Sequence, residues 1–278
     1  MYRLIISIVE KESGLFLTAL VSFWIFTGVG ILVDLLRNRK EQAERKAIEA
    51  VFYGLIFIIS LFIYTCLKYT AVAEGNYHRI LADIEKPVFL LVSSFHPGAE
   101  ILSFFYEHVW LALNFIPPFL IVFSHRSRRR FFVTFYLLYL SSAAIYILFP
   151  VKSPVFEFSF KNLPQDVALF HSLTANDTLF LKQHGYVSRF PLYADTAFPS
   201  LHVAYTFLIY LIAPEKLKLP AFFLYLVIFA GSVLLGFHYL SDGIAGTALT
   251  LFAWKIAGEI DEKIDSLAGR KVFKKLFD

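Results

Sequence analysis

The chain has one cysteine, Cys66, so no disulfide can close within it, and cysteine usage says nothing about the redox compartment. It has no internal repeat, which excludes a solenoid or propeller, and no low-complexity stretch or soluble domain. What remains is apolar. Hydrophobic residues make up 58% of the 278 and aromatic residues 18%. The mean hydropathy of +0.63 is well above that of a soluble domain with one apolar core. The composition predicts an integral membrane protein.

A helix needs about 20 apolar residues to cross hydrocarbon. Such stretches run at Gly14–Leu36, Ala47–Leu67, Ile101–Phe123, Phe131–Pro150, Ser200–Ala213, Ala221–Leu240 and Gly243–Ala257. The fifth and seventh are short, as spans buried inside a bundle can be. The expected fold is therefore all-α, a polytopic transmembrane helical bundle of about six to seven spans. The first stretch reads as an uncleaved anchor. Its leading segment carries Glu10, Lys11 and Glu12, and Asp34-Leu35-Leu36-Arg37 offers no small-residue cleavage site. Residues 1–130 form an N-terminal transmembrane region with an external amphipathic piece around Tyr77–Ile84, and residues 131–257 form the core that carries the chemistry. Residues 258–278 form a cytoplasmic amphipathic tail, in which Ile260, Ile264, Leu267, Val272, Phe273, Leu276 and Phe277 alternate with charges.

Basic residues in short loops stay on the cytoplasmic side. Arg37, Arg39, Lys40, Arg45 and Lys46 crowd the first connection, Arg126, Arg128, Arg129 and Arg130 the third, and Lys216 and Lys218 the fifth. The tail adds Lys263, Arg270, Lys271, Lys274 and Lys275. The alternate connections, Lys68–Glu100 and Val151–Pro199, are several times longer and far poorer in Lys and Arg. This bias puts the amino terminus outside and the carboxyl terminus inside. The net charge of +4 and pI near 9.0 follow from these clusters, which read as topology signals and contacts to anionic lipid, not as a nucleic-acid surface. The expected location is a plasma or inner membrane.

Ionisable groups at membrane depth are costly and are usually kept for a task. Two motifs stand out, Phe198-Pro199-Ser200-Leu201-His202 and Gly236-Phe237-His238-Tyr239-Leu240-Ser241-Asp242. Both fall on the external, periplasmic or lumenal, face. Asp242 lies four residues after His238, one helical turn on, or in reach if the chain turns at Ser241-Asp242-Gly243. A carboxylate bonded to one imidazole nitrogen fixes the tautomer and leaves the other nitrogen's lone pair for attack on phosphorus. Pro199 suits a first helical turn. The amides of Ser200, Leu201 and His202 would then sit at the positive end of a helix dipole, a cradle for phosphate oxygens. His202 is placed to protonate a leaving oxygen. The partner these features call for is a lipid phosphate held in the bilayer.

The two motifs in this order, with Gly243-Ile244-Ala245-Gly246 following, resemble the second and third motifs of the type 2 phosphatidic acid phosphatase superfamily. They are most similar to the branch of inositol phosphorylceramide synthases and related bacterial membrane proteins. The resemblance covers about Tyr146–Ala257. It implies that His238 is a nucleophile forming a phosphohistidine, Asp242 its orienting partner, His202 the general acid and Ser200 a phosphate contact. It also implies that no metal or other cofactor is needed.

Two departures from that pattern matter. The Ser-Arg that opens the third motif of typical members is replaced by Gly231-Ser232, so its phosphate-binding arginine is missing. The Lys-x-x-x-x-x-x-Arg-Pro first motif is absent, and Tyr146-Ile147-Leu148-Phe149-Pro150-Val151-Lys152-Ser153-Pro154 stands in its place, similar to the proline-rich form of the synthase branch. A phosphate developing charge needs a cation. Lys152 is the first candidate, with Arg189 and Lys182 in reserve; an interfacial anchor is the plainer reading of Lys152.

Other marked residues carry less. Glu107 lines the substrate pocket or makes a helix–helix hydrogen bond, and Pro117-Pro118 kinks the third span. Gly243, Ala245, Gly246 and Ala248 give the last span a small face for close packing. His78, His96, His171 and His184 read as solvated external residues, and Trp24, Trp110 and Trp254 as ordinary membrane aromatics. Two rival classes remain. One is a metal-dependent hydrolase using His202, His238 and Asp242. The other is a transporter, which would call for mid-bilayer charges and repeated broken helices that the sequence does not display. Hydrolysis to free phosphate and transfer to a lipid or sugar alcohol stay open, as does the oligomeric state. The long Val151–Pro199 segment, with Asp166, Asn176, Asp177, His184 and Asp195, is expected to form a lid or headgroup pocket.

Overall fold

A backbone crossing hydrocarbon must satisfy its N–H and C=O groups within the segment, and all regular structure among the described residues is helical. The computed structural model describes residues 25, 28, 29, 31–37, 39–70, 77–93, 98–113, 128–160, 163–165, 167, 168, 171 and 197–269. Most of the first expected span, the part of the third beyond Leu113 with Pro117-Pro118, and the final residues of the tail lie outside these. So do His96, Asp166, Asn176, Asp177, Lys182, His184, Arg189 and Asp195.

Among the described residues, the α-helices that position the site are, in order, α1 Lys40–Thr70, α2 Tyr77–Val92, α3 Ala99–Ser103, α4 Trp110–Leu113, α5 Arg128–Leu148, α6 Leu201–Ile212, α7 Glu215–Leu234 and α8 Leu240–Gly269. A π-helical turn, Phe104–Val109, joins α3 to α4. Among the described residues two helices, Arg129–Leu148 and Glu215–Leu234, are each long and apolar enough to cross a membrane, whereas Leu201–Ile212 is apolar but shorter.

α5 is the central post, packed against α1, α6 and α8. Phe131, Phe132, Phe135 and Leu138 have no solvent exposure. Aromatic residues at helical spacing on α1 meet them. Tyr53 stacks on Phe132 at 4.7 Å, Phe57 tilts against Phe135 at 4.9 Å, and Tyr64 stands edge-on to Tyr139 at 5.1 Å. Such pairs add about 0.5–1.5 kcal/mol each beyond the area they bury.

Arg129, Arg130 and Lys218 lie at the pole away from the two motifs. The Arg130 guanidinium lies 3.9 Å over the Trp254 ring and donates to the Trp254 carbonyl at 3.1 and 3.3 Å. Arg129 pairs with Asp261. Lys218 donates to the Tyr210 and Leu211 carbonyls at 3.0 and 2.9 Å, satisfying acceptors that the end of α6 leaves over. Trp254 therefore clamps Arg130.

Several boundaries differ from the sequence expectation. The sixth span was expected at Ala221–Leu240, but α7 occupies Glu215–Leu234. Pro214, extended at ψ 155, launches the helix early, and Gly236 stops it by taking φ +77, a conformation costly for any residue with a Cβ. His238 thus sits in a turn between helices. α8 runs unbroken through the boundary expected at Ala257, well into the tail. The external piece expected around Tyr77–Ile84 extends to a helix ending at Val92, which buries His78, Ala82, Glu85, Phe89 and Val92 along one face.

α6 and α8 touch through the small face expected around Gly246. Thr250 donates to the Ala204 carbonyl at 3.1 Å, and a Cβ at Gly246 would come within 2.5 Å of the Ser200 carbonyl oxygen. That oxygen is backbone and cannot swing aside. Gly246→Ala should therefore cost about 1–3 kcal/mol and push the start of α6 away from α8. A thermal unfolding midpoint equal to wild type in detergent would refute this contact.

Candidate active site

Ser200 begins the site by ending an extended approach. Its ψ of 112 is non-helical, and its Oγ accepts the Val203 N–H at 3.5 Å as the N-cap of α6. Pro199, expected in the first turn, lies before the cap, because serine satisfies an orphan amide there and proline cannot. The peptide before Pro199 is cis. The Tyr146 hydroxyl, from the far end of α5, donates to the Pro199 carbonyl at 2.9 Å.

The two motifs are joined through backbone. The Ser200 N–H donates to the Asp242 carbonyl at 3.0 Å, and the Ala197 N–H to the Val151 carbonyl at 2.7 Å. The Ser200 amide is thus spent within the fold, and its side chain is fully buried. Of the expected cradle, the amides of Leu201 and His202 lie in the first turn of α6, at the positive end of its dipole.

His238 is fixed by three bonds. Its N–H donates to the Ser232 carbonyl at 2.8 Å. Its Nδ1 lies 2.9 Å from the Ala197 carbonyl oxygen and 3.4 Å from Asp242 Oδ2. A carbonyl oxygen only accepts, so Nδ1 carries the proton and Nε2 keeps its lone pair. Asp242, the expected orienting partner, is within reach of Nδ1, and the shorter contact goes to the Ala197 carbonyl. A backbone carbonyl leaves no mark in residue type, and the only signal available was position, one residue before Phe198. The same Asp242 Oδ2 accepts the Tyr239 N–H at 2.8 Å, and Oδ1 is buried without a partner among the described residues.

His202 faces His238 with ring centroids 5.9 Å apart and planes inclined at 55°. It packs against two aromatic rings, stacked on Tyr106 at 4.5 Å and tilted against Trp110 at 4.2 Å. Tyr106 stacks in turn on Phe237 at 4.6 Å. Tyr106 comes from the π turn and Trp110 from the residue after it. Sequence reasoning missed both, since rings at helical spacing are ordinary in so aromatic a chain. A π turn rotates the side chains that follow it relative to a regular helix, and such turns are frequent at functional sites. Glu107 lies on the same turn, half-buried.

Two histidines read as solvated are buried. His78 Nε2 lies 3.1 Å from Glu157. His171 stands edge-on to Phe237 at 5.5 Å. Burial pulls the His171 pKa down to about 4 despite a hydrogen bond to the Leu235 backbone that acts the other way, so it is neutral at physiological pH.

Of the cation candidates, Lys152 is described; Arg189 and Lys182 are not. Lys152 follows Val151, the residue paired with Ala197, and its ammonium lies 5.6 Å from the Phe156 ring centre. Ser232 occupies the position where typical relatives of the resembled family carry arginine. It is fully buried, with its hydroxyl donating to the Phe229 carbonyl at 2.7 Å. No cluster of three or more His, Cys, Asp or Glu suited to a metal ion occurs among the described residues.

A family model described as the PAP2 superfamily matches residues 78–256. No curated protein and no solved structure matches the chain.

The tautomer is directly measurable. With 15N-labelled histidine, the neutral form of His238 should show a protonated Nδ1 and an unprotonated Nε2. The reverse pattern would mean that the Ala197 contact is not a hydrogen bond.

Proposed function

The chain belongs to the PAP2 superfamily, whose membership supports a phosphatase or phosphotransferase type of function, and we propose that it acts on a lipid phosphate through a phosphohistidine. The observation that carries this reading is the pair of imidazoles 5.9 Å apart, one of them held with its proton on Nδ1 by the Ala197 carbonyl. On this reading both rings act on one phosphorus.

In the proposed reaction the His238 Nε2 lone pair attacks phosphorus and the bond from phosphorus to the lipid oxygen breaks. Protonated His202 gives its proton to that oxygen, so the alcohol leaves neutral. The imidazolium formed at His238 is stabilised by Asp242, whose carboxylate lies 3.4 Å from Nδ1. Neutral His202 then takes a proton from water or from an acceptor alcohol as it attacks. The phosphorus–nitrogen bond breaks and His238 returns to its starting tautomer. The amides of Leu201 and His202 and the ammonium of Lys152, with Arg189 and Lys182 from the same external segment, take the phosphate charge. No metal ion enters this scheme.

The bundle reading follows the same line. About six to seven helices span the membrane with the motifs outward. The basic pole of α5, α6 and α7 lies toward the cytoplasm, and the lipid reaches the site sideways with its chains still in the bilayer. Water as acceptor makes the protein a phosphatase. The proline-rich Pro150–Pro154 segment favours the second reading, transfer of a phospho-headgroup to a lipid alcohol as in the inositol phosphorylceramide synthase branch.

The test uses purified full-length protein in detergent with a chelator present. Dioctanoyl phosphatidic acid, farnesyl phosphate and farnesyl pyrophosphate are supplied with or without inositol, and products are resolved by mass. His238→Ala should abolish both turnover and acid-labile covalent phosphate. His202→Ala should slow formation of that intermediate by roughly 10²–10⁴-fold, most for the poorest leaving group. Wild-type rates in both variants would end the mechanism, and loss of activity on chelation would favour a metal-dependent route.

A further inference from the structure

α8 begins without an ordinary cap. Tyr239 stands at the cap position and its side chain cannot accept from the first turn, yet each successive amide there is satisfied. The Tyr239 N–H goes to Asp242 Oδ2 at 2.8 Å, the reach-back half of a capping box. The Leu240 N–H goes to Glu85 Oε2 at 2.6 Å and the Ser241 N–H to Glu85 Oε1 at 2.9 Å. Glu85 sits on α2, far away in sequence, and is only 7% exposed. Four residues along α2, Phe89 packs edge-on against the fully buried Tyr239 ring at 5.5 Å. α2 therefore grips the start of α8 at two points on one face.

We propose that Glu85 is a positioning residue of the active site. A carboxylate out of water must have strong donors, and both of its oxygens are spent on two of the three backbone amides between His238 and Asp242, those of Leu240 and Ser241. That clamp fixes the first turn of α8, and with it the Asp242 carboxylate that faces His238 Nδ1 and the turn on which the imidazole is carried. It also fills the α8 N-terminus with negative charge, so the substrate phosphate is left to the first turn of α6. The proposal rests on the reading of His238 as nucleophile.

The probe is orthovanadate, which mimics pentacoordinate phosphorus and must bond to Nε2, set beside inorganic phosphate, which needs no such alignment. Both are titrated against full-length protein in detergent. Glu85→Gln keeps the shape, but it turns one acceptor into a donor facing an N–H. It should weaken vanadate binding by roughly 10–100-fold, the scale of a small misalignment at a reacting atom, and change phosphate binding less than about threefold. Ile84→Ala, on the exposed side of α2, should leave both unchanged. Vanadate affinity equal to wild type in Glu85→Gln would overturn the clamp. Equal weakening of both anions would reduce Glu85 to a merely structural part and likewise overturn it. The nucleophile reading fails separately, if His238→Ala binds vanadate as tightly as wild type.

Discussion

The bond between the Ser200 amide and the Asp242 carbonyl is the constraint on which the rest of the site depends. It joins the cap of α6 to the first turn of α8, two points far apart in the chain, and it exists only because α8 presents Gly246 where any side chain would collide with the Ser200 carbonyl. From that close approach the other distances follow. Ala197, just before the cap, comes within 2.9 Å of His238 Nδ1, and His202, just after it, comes to face the His238 ring. A bulkier seam would separate α6 from α8 and part the two imidazoles, although neither histidine takes part in the contact.

Around this seam the molecule surrounds polar groups with apolar ones. His202 packs against the Tyr106 and Trp110 rings, which fix its plane. His238 is held by acceptors on one side only, which leaves the opposite nitrogen available. Two buried carboxylates, Glu85 and Asp242, share one helix start. They are tolerated because three backbone N–H groups and the helix dipole meet them. Charge-assisted bonds of this kind contribute about 1.5–3 kcal/mol each, and leaving either carboxylate without donors would cost more than the bond itself is worth.

Much of this was legible in the sequence, but unevenly. The all-helical class follows from long apolar runs, and the motifs at His202 and His238 were marked by polar groups where polarity is expensive. Gly246 could be assigned to packing from its small neighbours. What escaped were contributions made by backbone or by distant side chains. The Ala197 carbonyl has no residue-type signature. Glu85 reads as one more charge on an amphipathic helix until its oxygens are seen on Leu240 and Ser241. Tyr106 and Trp110 were hidden by abundance, and the π turn that presents them has no periodicity to betray it. The misplaced span at Ala221–Leu240 has a different cause. Hydropathy continues smoothly through Phe237, while the helix ends where Gly236 adopts a conformation that hydropathy cannot register.

The position of Ser232 shows how a departure from the family pattern is absorbed physically. An arginine there would have to leave a site with no solvent exposure at all, next to Gly231, whose added Cβ would already touch the Leu102 backbone and Tyr106 at 3.5 and 3.6 Å. The fold uses the space differently. α7 packs tightly on the π turn, and the Ser232 carbonyl takes the His238 N–H at 2.8 Å. The residue in the arginine's position thus supports the histidine's backbone instead of the phosphate. A phosphate dianion between the two imidazoles still requires positive charge. On the proposed function that charge comes from the external Val151–Pro199 segment, where Lys152, Lys182 and Arg189 reside.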